Sequence, residues 1–168
     1  PEVIANFKDD EFPTQITVST NAPNEKLFNL WHRSIKKDAW KKFNETLDVI
    51  RGLKRKVRRV IRLTLVDIGE EGDFNEKTNM SEKNVSEYCK LIRKAEPDFV
   101  HIKGYKSVGY ARSRMGYDNQ PWFEAVREYA KKIEDELIKD GYKIAAEDER
   151  SCVVMLAKKG MKLKIDKV

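Results

Sequence analysis

The chain has 168 residues, of which 40% are hydrophobic and 37% charged, with a formal net charge of +6. This length suits one ordinary domain with a sizeable core. No apolar run approaches the roughly 18 residues that cross a bilayer. Two distant cysteines, Cys89 and Cys152, form neither a disulfide framework nor a metal-ligand set. We therefore expect a soluble, cytoplasmic protein with two buried thiols, whose charge favours a polyanionic partner.

The first hundred residues alternate between helix and strand patterns. Asp38 is placed as the N-cap of a helix that Gly52 ends, and Ser81 is placed to cap a later helix. Residues 68–79 are polar and have no period, which indicates a loop. Helices are predicted at residues 3–7, 38–52 and 81–92, with a short helical piece at 27–31. Strands are predicted between them and after them, at residues 15–20, 60–66 and 99–102.

The stretch from Pro97 to Trp122 predicts a strand followed by a long loop. The chain leaves the strand at Lys103, and the loop then carries arginines and tyrosines until Pro121 and Trp122 begin a helix. Loops this long inside a compact domain are uncommon and are usually functional or disordered. The basic and aromatic composition of this one predicts a binding loop.

The end of the chain predicts a regular helix and a hairpin. Apolar residues at helical spacing run from Phe123 to Leu137, and two strands follow at 142–147 and 152–157. The basic tail at 159–168 is expected to be frayed. The alternation of strands and helices is typical of an α/β fold with parallel strands, in one domain over residues 1–158. It is compatible with a slice of a barrel and with an open doubly wound sheet.

Each of the first three strands divides into an apolar set and a mainly polar set, because side chains alternate between the two faces of a strand. The apolar set is Ile16, Val18, Thr20, Ile61, Leu63, Leu65, Val100 and Ile102, and the mainly polar set is Gln15, Thr17, Ser19, Asn21, Arg62, Thr64, Val66, Phe99, His101 and Lys103. Burying the polar set without partners would cost kilocalories per group. We therefore expect a ligand, water or partner groups on that face, near the carboxyl ends of the strands.

Single residues allow more than one interpretation. Lys103 can form a Schiff base, but a lysine that neutralises an anionic ligand or a buried carboxylate is the favoured interpretation. His101 has no second His or Cys at ligand spacing, which favours a hydrogen-bonded side chain over a metal ligand. Arg112 and Arg114 lie among tyrosines, a mixture that suits phosphate and base contacts. The basic run at 54–59 is interpreted as a solvated connector.

Several segments, in this order, resemble the carboxyl-terminal half of the tRNA 4-demethylwyosine synthases, the radical S-adenosylmethionine (SAM) enzymes of wyosine biosynthesis, in their archaeal form. The segments are ITVSTNAP, RLTLV, EPDFVHIKGYKSVGYARSR and QPW. The resemblance implies the second half of a partial (βα)6 barrel with a terminal hairpin. It also implies a lyase-class reaction that joins N1-methylguanosine, next to the anticodon of tRNA-Phe, to a two-carbon unit from pyruvate.

The resemblance further implies cofactors and partners. The implied cofactors are SAM and [4Fe–4S] clusters. The implied partners are tRNA-Phe, pyruvate and an electron donor, and the enzyme is expected to be a monomer that does not contact a membrane. The CxxxCxxC loop that holds the SAM cluster is absent from these residues, and we expect it upstream of Pro1. By position in the shared motifs, the resemblance assigns SAM contacts to Ser19, Asn21 and Thr64. It makes Lys103 the candidate catalytic residue. It assigns contacts with the substrate or the tRNA to Tyr105, Arg112 and Arg114.

Two functions of other classes remain as alternatives. One is a non-catalytic RNA-binding α/β module that uses the basic loop alone, and the other is a lysine-dependent, aldolase-like enzyme built on Lys103. Iron and sulfide content separates the radical enzyme from both, whereas borohydride trapping with a keto acid identifies the aldolase-like enzyme.

Overall fold

The computed structural model describes residues 1–67 and 78–165, apart from the side chains of Asp9 and Arg114. Most of the polar loop expected at 68–79 lies outside this description. Five strands form one sheet in the order β1-β2-β3-β5-β4. The strands are β1 (Gln15–Ser19), β2 (Arg58–Leu65), β3 (Phe99–Gly104), β4 (Tyr142–Asp148) and β5 (Val153–Lys158).

Strands β1, β2 and β3 are parallel, and the terminal hairpin adds β5 antiparallel to β3. The helices are α1 (Glu2–Ala5), α2 (Glu25–His32), α3 (Ala39–Gly52), α4 (Glu82–Ala95), α5 (Tyr110–Met115) and α6 (Phe123–Leu137). Short 3-10 helices lie at Asp9–Glu11 and Ile138–Asp140. The predicted α/β arrangement with parallel strands and a terminal hairpin is confirmed.

The helices cover one face of the sheet. The apolar sets of β2 and β3 are fully buried against α3, α4 and α6, together with Val154 and Leu156 of β5. Ile16 of β1 packs on a smaller cluster formed by Ile50, Leu53 and Val57. The predicted division of the strands into a covered apolar face and a polar face is therefore confirmed.

The loop after β3 contains a helix that the sequence did not predict. Helix α5 has six residues, begins after Gly109 (φ 53°) and ends before Gly116 (φ 71°), both in the left-handed region. The buried Tyr105 hydroxyl shares its one proton between the carbonyl oxygens of Ala111 at 2.9 Å and Gly116 at 3.3 Å. Six residues are too few to show an apolar period, so this tertiary contact, rather than local sequence, explains the helix.

The end of β3 packs closely against the chain that returns from the hairpin. A Cβ atom at Gly104 would lie 2.8 Å from the Cys152 Sγ atom and 3.2 Å from the Pro121 carbonyl oxygen. Both cysteines are free and buried, as predicted, and burial is the first cause that raises the pKa of the Cys89 thiol, to about 12.

The first part of the tail is held by a contact with the sheet, contrary to the expected fraying. The Arg58 guanidinium donates to the carbonyl oxygens of Lys162 at 3.4 Å and Leu163 at 2.9 Å. A contact that joins residues so far apart in sequence could not be read from the tail alone. In the described parts of the chain, no helix has the length and apolar character needed to cross a bilayer.

Candidate cofactor and substrate site

The polar face of the sheet is open, and the register of the strands brings its side chains together. Ser19 pairs with Arg62 and Arg62 pairs with His101, so the three form one row across β1, β2 and β3. Thr64 and Lys103 form the next pair on this face, two residues closer to the carboxyl ends of β2 and β3. Four of these five side chains are half-buried and Arg62 is exposed. Three of the residues assigned from sequence, Ser19, Thr64 and Lys103, thus share one face.

The row at Ser19 is tied together by one short hydrogen bond. The Arg62 guanidinium donates to the Ser19 hydroxyl oxygen over 2.7 Å. This leaves the Ser19 hydroxyl proton available to an acceptor on the open side. Ser19 can therefore donate to a ligand while Arg62 fixes its position.

Asn21, just beyond β1, presents an acceptor that lacks a partner. Its Oδ1 atom is buried and makes no hydrogen bond within the described residues, and neither does the hydroxyl of the adjacent buried Thr20. A buried polar atom without a partner costs about 1–3 kcal/mol. A ligand with hydroxyl or amino donors would remove that cost, which makes Asn21 a candidate ligand contact.

The backbone of Asn21 is positioned by a residue that sequence reasoning missed. Asn79 is fully buried, and its amide nitrogen donates to the carbonyl oxygens of Asn21 at 2.8 Å and Thr64 at 2.7 Å. Its Oδ1 atom accepts from the Val66 backbone N–H at 2.8 Å. Asn79 therefore joins the carboxyl ends of β1 and β2. A single Asn next to a polar loop carries no sequence signal for this role.

Two tyrosines support the same corner of the fold. The Tyr88 hydroxyl donates to the Asn21 carbonyl oxygen at 3.0 Å, and the Tyr129 hydroxyl donates to the Asn79 carbonyl oxygen at 3.1 Å. Burial is the first cause that raises the pKa of both hydroxyls. The tyrosines therefore remain neutral hydrogen-bond donors, with positioning roles.

Lys103 and His101 extend along β3 on the open face. Among the described residues, the Lys103 ammonium group makes no hydrogen bond or ion pair, and the His101 Nε2 atom is buried without a partner. Burial lowers the pKa of His101, and the charges of Arg58 and Arg62 lower it further. At neutral pH this face therefore presents a neutral imidazole and several cations, which suits an anionic ligand.

The structure gives Tyr105 an anchoring position, because its side chain is only 5% exposed and its hydroxyl bonds to the α5 region. Its contact with substrate, assigned from the resemblance, stays a prediction. Arg112 lies on α5, is exposed, and donates from Nε to the Ser107 carbonyl oxygen at 3.2 Å. Arg114 belongs to the same helix, and its side chain lies outside the description.

The surface around α5 carries exposed aromatic rings, as expected from the composition of the loop. Tyr110 is 91% exposed, Tyr117 57% and Trp122 62%. The rings of Tyr117 and Trp122 meet edge to face, with centroids 6.1 Å apart. Exposed rings beside arginines can stack on unpaired bases, as in proteins that bind single-stranded nucleic acid.

No set of three His, Cys, Asp or Glu side chains within residues 1–67 and 78–165 is arranged to hold a metal ion. Cys89 and Cys152 lie in the interior, where the Cys152 thiol faces the Pro121 carbonyl oxygen at 3.6 Å. Neither thiol lies on the polar face, so neither is a candidate cluster ligand for that site.

Comparison with known proteins identifies related sequences. Residues 94–158 match the family described as wyosine base formation. An S-adenosyl-L-methionine-dependent tRNA 4-demethylwyosine synthase from Pyrococcus abyssi is 37% identical over 150 residues, which cover 89% of this chain and 40% of the relative. The chain thus spans less than half of the length of this curated relative.

Solved structures share the fold. A structure of TYW1 with a lysine–pyruvate adduct bound matches with a TM-score of 0.68 and 22% identity, over 92% of this chain and 44% of that one. Coproporphyrinogen III oxidase (HemN) from Escherichia coli, a radical SAM enzyme, matches with a TM-score of 0.60 and 12% identity, over 95% and 35%. The α/β fold is therefore similar to part of the fold of radical SAM enzymes, which confirms the fold expected from the resemblance.

Proposed function

We propose, from the premise that this chain is a relative of part of the tRNA 4-demethylwyosine synthases, that it serves in the same reaction: condensation of N1-methylguanosine of tRNA-Phe with a two-carbon unit of pyruvate. One observation carries the proposal. The segment that matches the wyosine base formation family contains both Lys103, on the open polar face, and the basic, aromatic loop around α5.

The residues on the polar face fit SAM as a cofactor. Asn21 offers a buried acceptor without a partner, and Ser19 offers a hydroxyl held by Arg62. Thr64 lies on the adjacent strand, at the carboxyl end where ligands of this fold class bind. SAM and a reduced [4Fe–4S] cluster would supply the radical chemistry when bound, and these side chains would hold and orient SAM. The cluster ligands are expected outside these residues.

Lys103 is proposed to contact the pyruvate-derived group. Its ammonium makes no hydrogen bond or ion pair with the described residues and shares the open face with a neutral His101, so it can neutralise a carboxylate. A covalent role is the alternative, and the lysine–pyruvate adduct in a solved TYW1 structure shows that chemistry in a protein of this fold. Pyruvate and an electron donor would then be partners of the full enzyme.

The loop around α5 is proposed to bind the tRNA. Arg112 and Tyr110 are exposed on α5, and the exposed rings of Tyr117 and Trp122 follow it in the chain. Arginines would contact phosphates, and the rings would stack on bases of the anticodon loop, which is single-stranded. A non-catalytic RNA-binding module would use the same loop, but it would leave the polar face with Asn21 and Lys103 unexplained.

The loop assignment predicts the salt dependence of tRNA binding. In the natural protein that carries these residues, Arg112→Ala with Arg114→Ala should weaken tRNA-Phe binding. The slope of log affinity against log salt should fall by roughly one unit per arginine, because each phosphate contact releases counterions. Affinity is measured at several salt concentrations, with SAM binding as the control for folding.

Lys90→Ala with Lys131→Ala removes the same charge from the outer helices α4 and α6, where both lysines are exposed. That pair should leave the slope unchanged. If the arginine pair instead abolishes SAM binding and keeps the slope, the loop covers the cofactor and the assignment is wrong.

A further inference from the structure

A basic cleft lies at the opposite end of the sheet from the candidate site. It has a volume of about 590 Å³ and is formed where the chain entering β2 meets the tail. Its lining includes Lys54, Arg55 and Arg58 from the first segment, Phe99 from β3, and Met161 and Lys164 from the tail. These segments are distant in sequence, so the basic run at 54–59 is part of a built concave surface. This differs from the solvated connector that was expected.

The charge of the basic cleft is strongly positive. Lys54, Arg55 and Lys164 are exposed at its rim, and Arg58 lies inside it. Among the residues that the structure describes, Asp98 is the one acidic residue of the lining. Its carboxylate is already engaged, because the buried Arg59 donates to it from Nη2 at 2.6 Å and from the backbone N–H at 2.8 Å. The cationic rim is therefore not neutralised by this carboxylate.

Arg58 lines the basic cleft and is held in place on two sides. Its guanidinium stacks on the Phe99 ring at 3.8 Å from the centroid, and Nη1 is held by two carbonyl oxygens of the tail. Its Nε atom is buried and has no hydrogen-bond partner in the described residues. The fixed guanidinium contributes positive charge to the cleft, which favours the oxygens of a phosphate group.

The backbone at the rim is also unusual. Arg55 has φ 70°, in the left-handed region that a residue with a long side chain seldom adopts. Arg55 lines the cleft next to Lys54 and adds a second positive charge there.

We propose that the basic cleft binds backbone phosphates of the tRNA at a position away from the anticodon loop. The proposal rests on the proposed function, because tRNA is its ligand. From the rise per residue of a strand, the two ends of β2 lie about 23 Å apart. That is a span of several base pairs of an RNA stem. One tRNA can therefore lie along the side of the fold and reach both the loop around α5 and the cleft.

The test compares a full tRNA with its anticodon stem-loop. The cleft variant is Lys54→Gln, Arg55→Asn and Lys164→Gln, in the natural protein that carries these residues. Asn is chosen at position 55 because it tolerates the left-handed conformation. Lys41→Gln, Lys90→Gln and Lys131→Gln form the matched control, since these exposed lysines on outer helices remove the same charge. Circular dichroism and SAM binding report folding.

We expect the cleft variant to lose affinity for full tRNA-Phe, with a salt slope smaller by up to about three units. Its affinity for the isolated anticodon stem-loop should equal that of the unchanged protein. Arg112→Ala should weaken the binding of both the full tRNA and the stem-loop. The control variant should change neither slope by as much as one unit.

Three outcomes overturn the inference. An unchanged slope for full tRNA in the folded cleft variant shows that another ligand or a protein segment occupies the cleft. An equal loss for the stem-loop shows that the cleft contacts the anticodon arm. If the unchanged protein binds neither RNA, the proposed function fails and the inference fails with it. In the first two cases the proposed function survives.

Discussion

Asn79 shows how one side chain can organise a site without touching a ligand. Its amide group makes three hydrogen bonds to backbone atoms that end β1 and β2. Asn79→Ala would leave the Val66 N–H and two carbonyl oxygens without these partners in the interior. Because unsatisfied buried groups cost about 1–3 kcal/mol each, we expect a loss of about 2–4 kcal/mol in the free energy of unfolding. Urea denaturation measures it.

Asn29→Ala is the matched control, because Asn29 is exposed on α2 and its side chain makes no hydrogen bond among the described residues. It should change stability by less than about 0.5 kcal/mol. A loss below 1 kcal/mol for Asn79→Ala would contradict the positioning role. In that case water replaces the amide at this corner.

Helix α5 depends on tertiary contacts for its existence. The Tyr105 hydroxyl bonds to two carbonyl oxygens of the loop, and the Ser107 N–H donates to the Gln120 side chain at 3.0 Å. Tyr105→Phe keeps the ring and removes the hydroxyl. We expect the free energy of local opening of the loop to fall by about 1 kcal/mol, with no change in global stability. Limited trypsin digestion should then cut faster after Arg112.

Tyr110→Phe provides the comparison, since its ring is exposed on the same helix. The cleavage rate of this variant should match that of the unchanged chain. Equal rates for Tyr105→Phe and Tyr110→Phe would show that the Tyr105 hydroxyl does not hold the loop.

At the level of elements, the sequence predicted what local periodicity determines. Ile61, Leu63 and Leu65 alternate with Arg62 and Thr64, and this pattern alone assigned the two faces of β2 correctly. The same alternation in β3 predicted the face on which Lys103 lies. The sequence did not predict α5 within the loop, because this helix has no apolar period of its own.

Other features depend on residues that are far apart in the chain. Asn79 acts on Asn21, which is 58 positions away, so neither neighbourhood in sequence reveals their hydrogen bond. The basic cleft likewise needs the tail to meet Arg58 across 105 positions. The charge of the run at 54–59 was visible, whereas its concave surroundings were not.

The whole molecule has a covered face and an open cationic face, and this asymmetry makes its stability depend on pH. Burial and the charges of Arg58 and Arg62 lower the pKa of His101 from its model-compound value of 6.5. The unfolded chain therefore binds a proton at higher pH than the folded chain does. Stability is fully present above pH 6.5 and falls as the pH drops through 6.5 toward the folded-state pKa.

His101→Gln should remove this part of the pH dependence. Urea midpoints measured from pH 7.5 to pH 5.5 should fall less for the variant than for the unchanged chain. His32, whose pKa is also lowered by burial, remains in both proteins and contributes the same slope to each. Parallel pH profiles for the two proteins would mean that His101 is accessible to a proton in the folded state.

The close contact at Gly104 restricts the order in which this fold can evolve. A side chain at position 104 meets the Cys152 sulfur first and the Pro121 carbonyl oxygen next. A smaller residue at 152 would have to precede any change at 104, and the backbone at 121 would still have to move. The end of β3, the start of α6 and the hairpin are thus linked as a mutational unit. A lineage can vary the exposed loop residues freely, yet it can alter this junction only through successive, compensated substitutions.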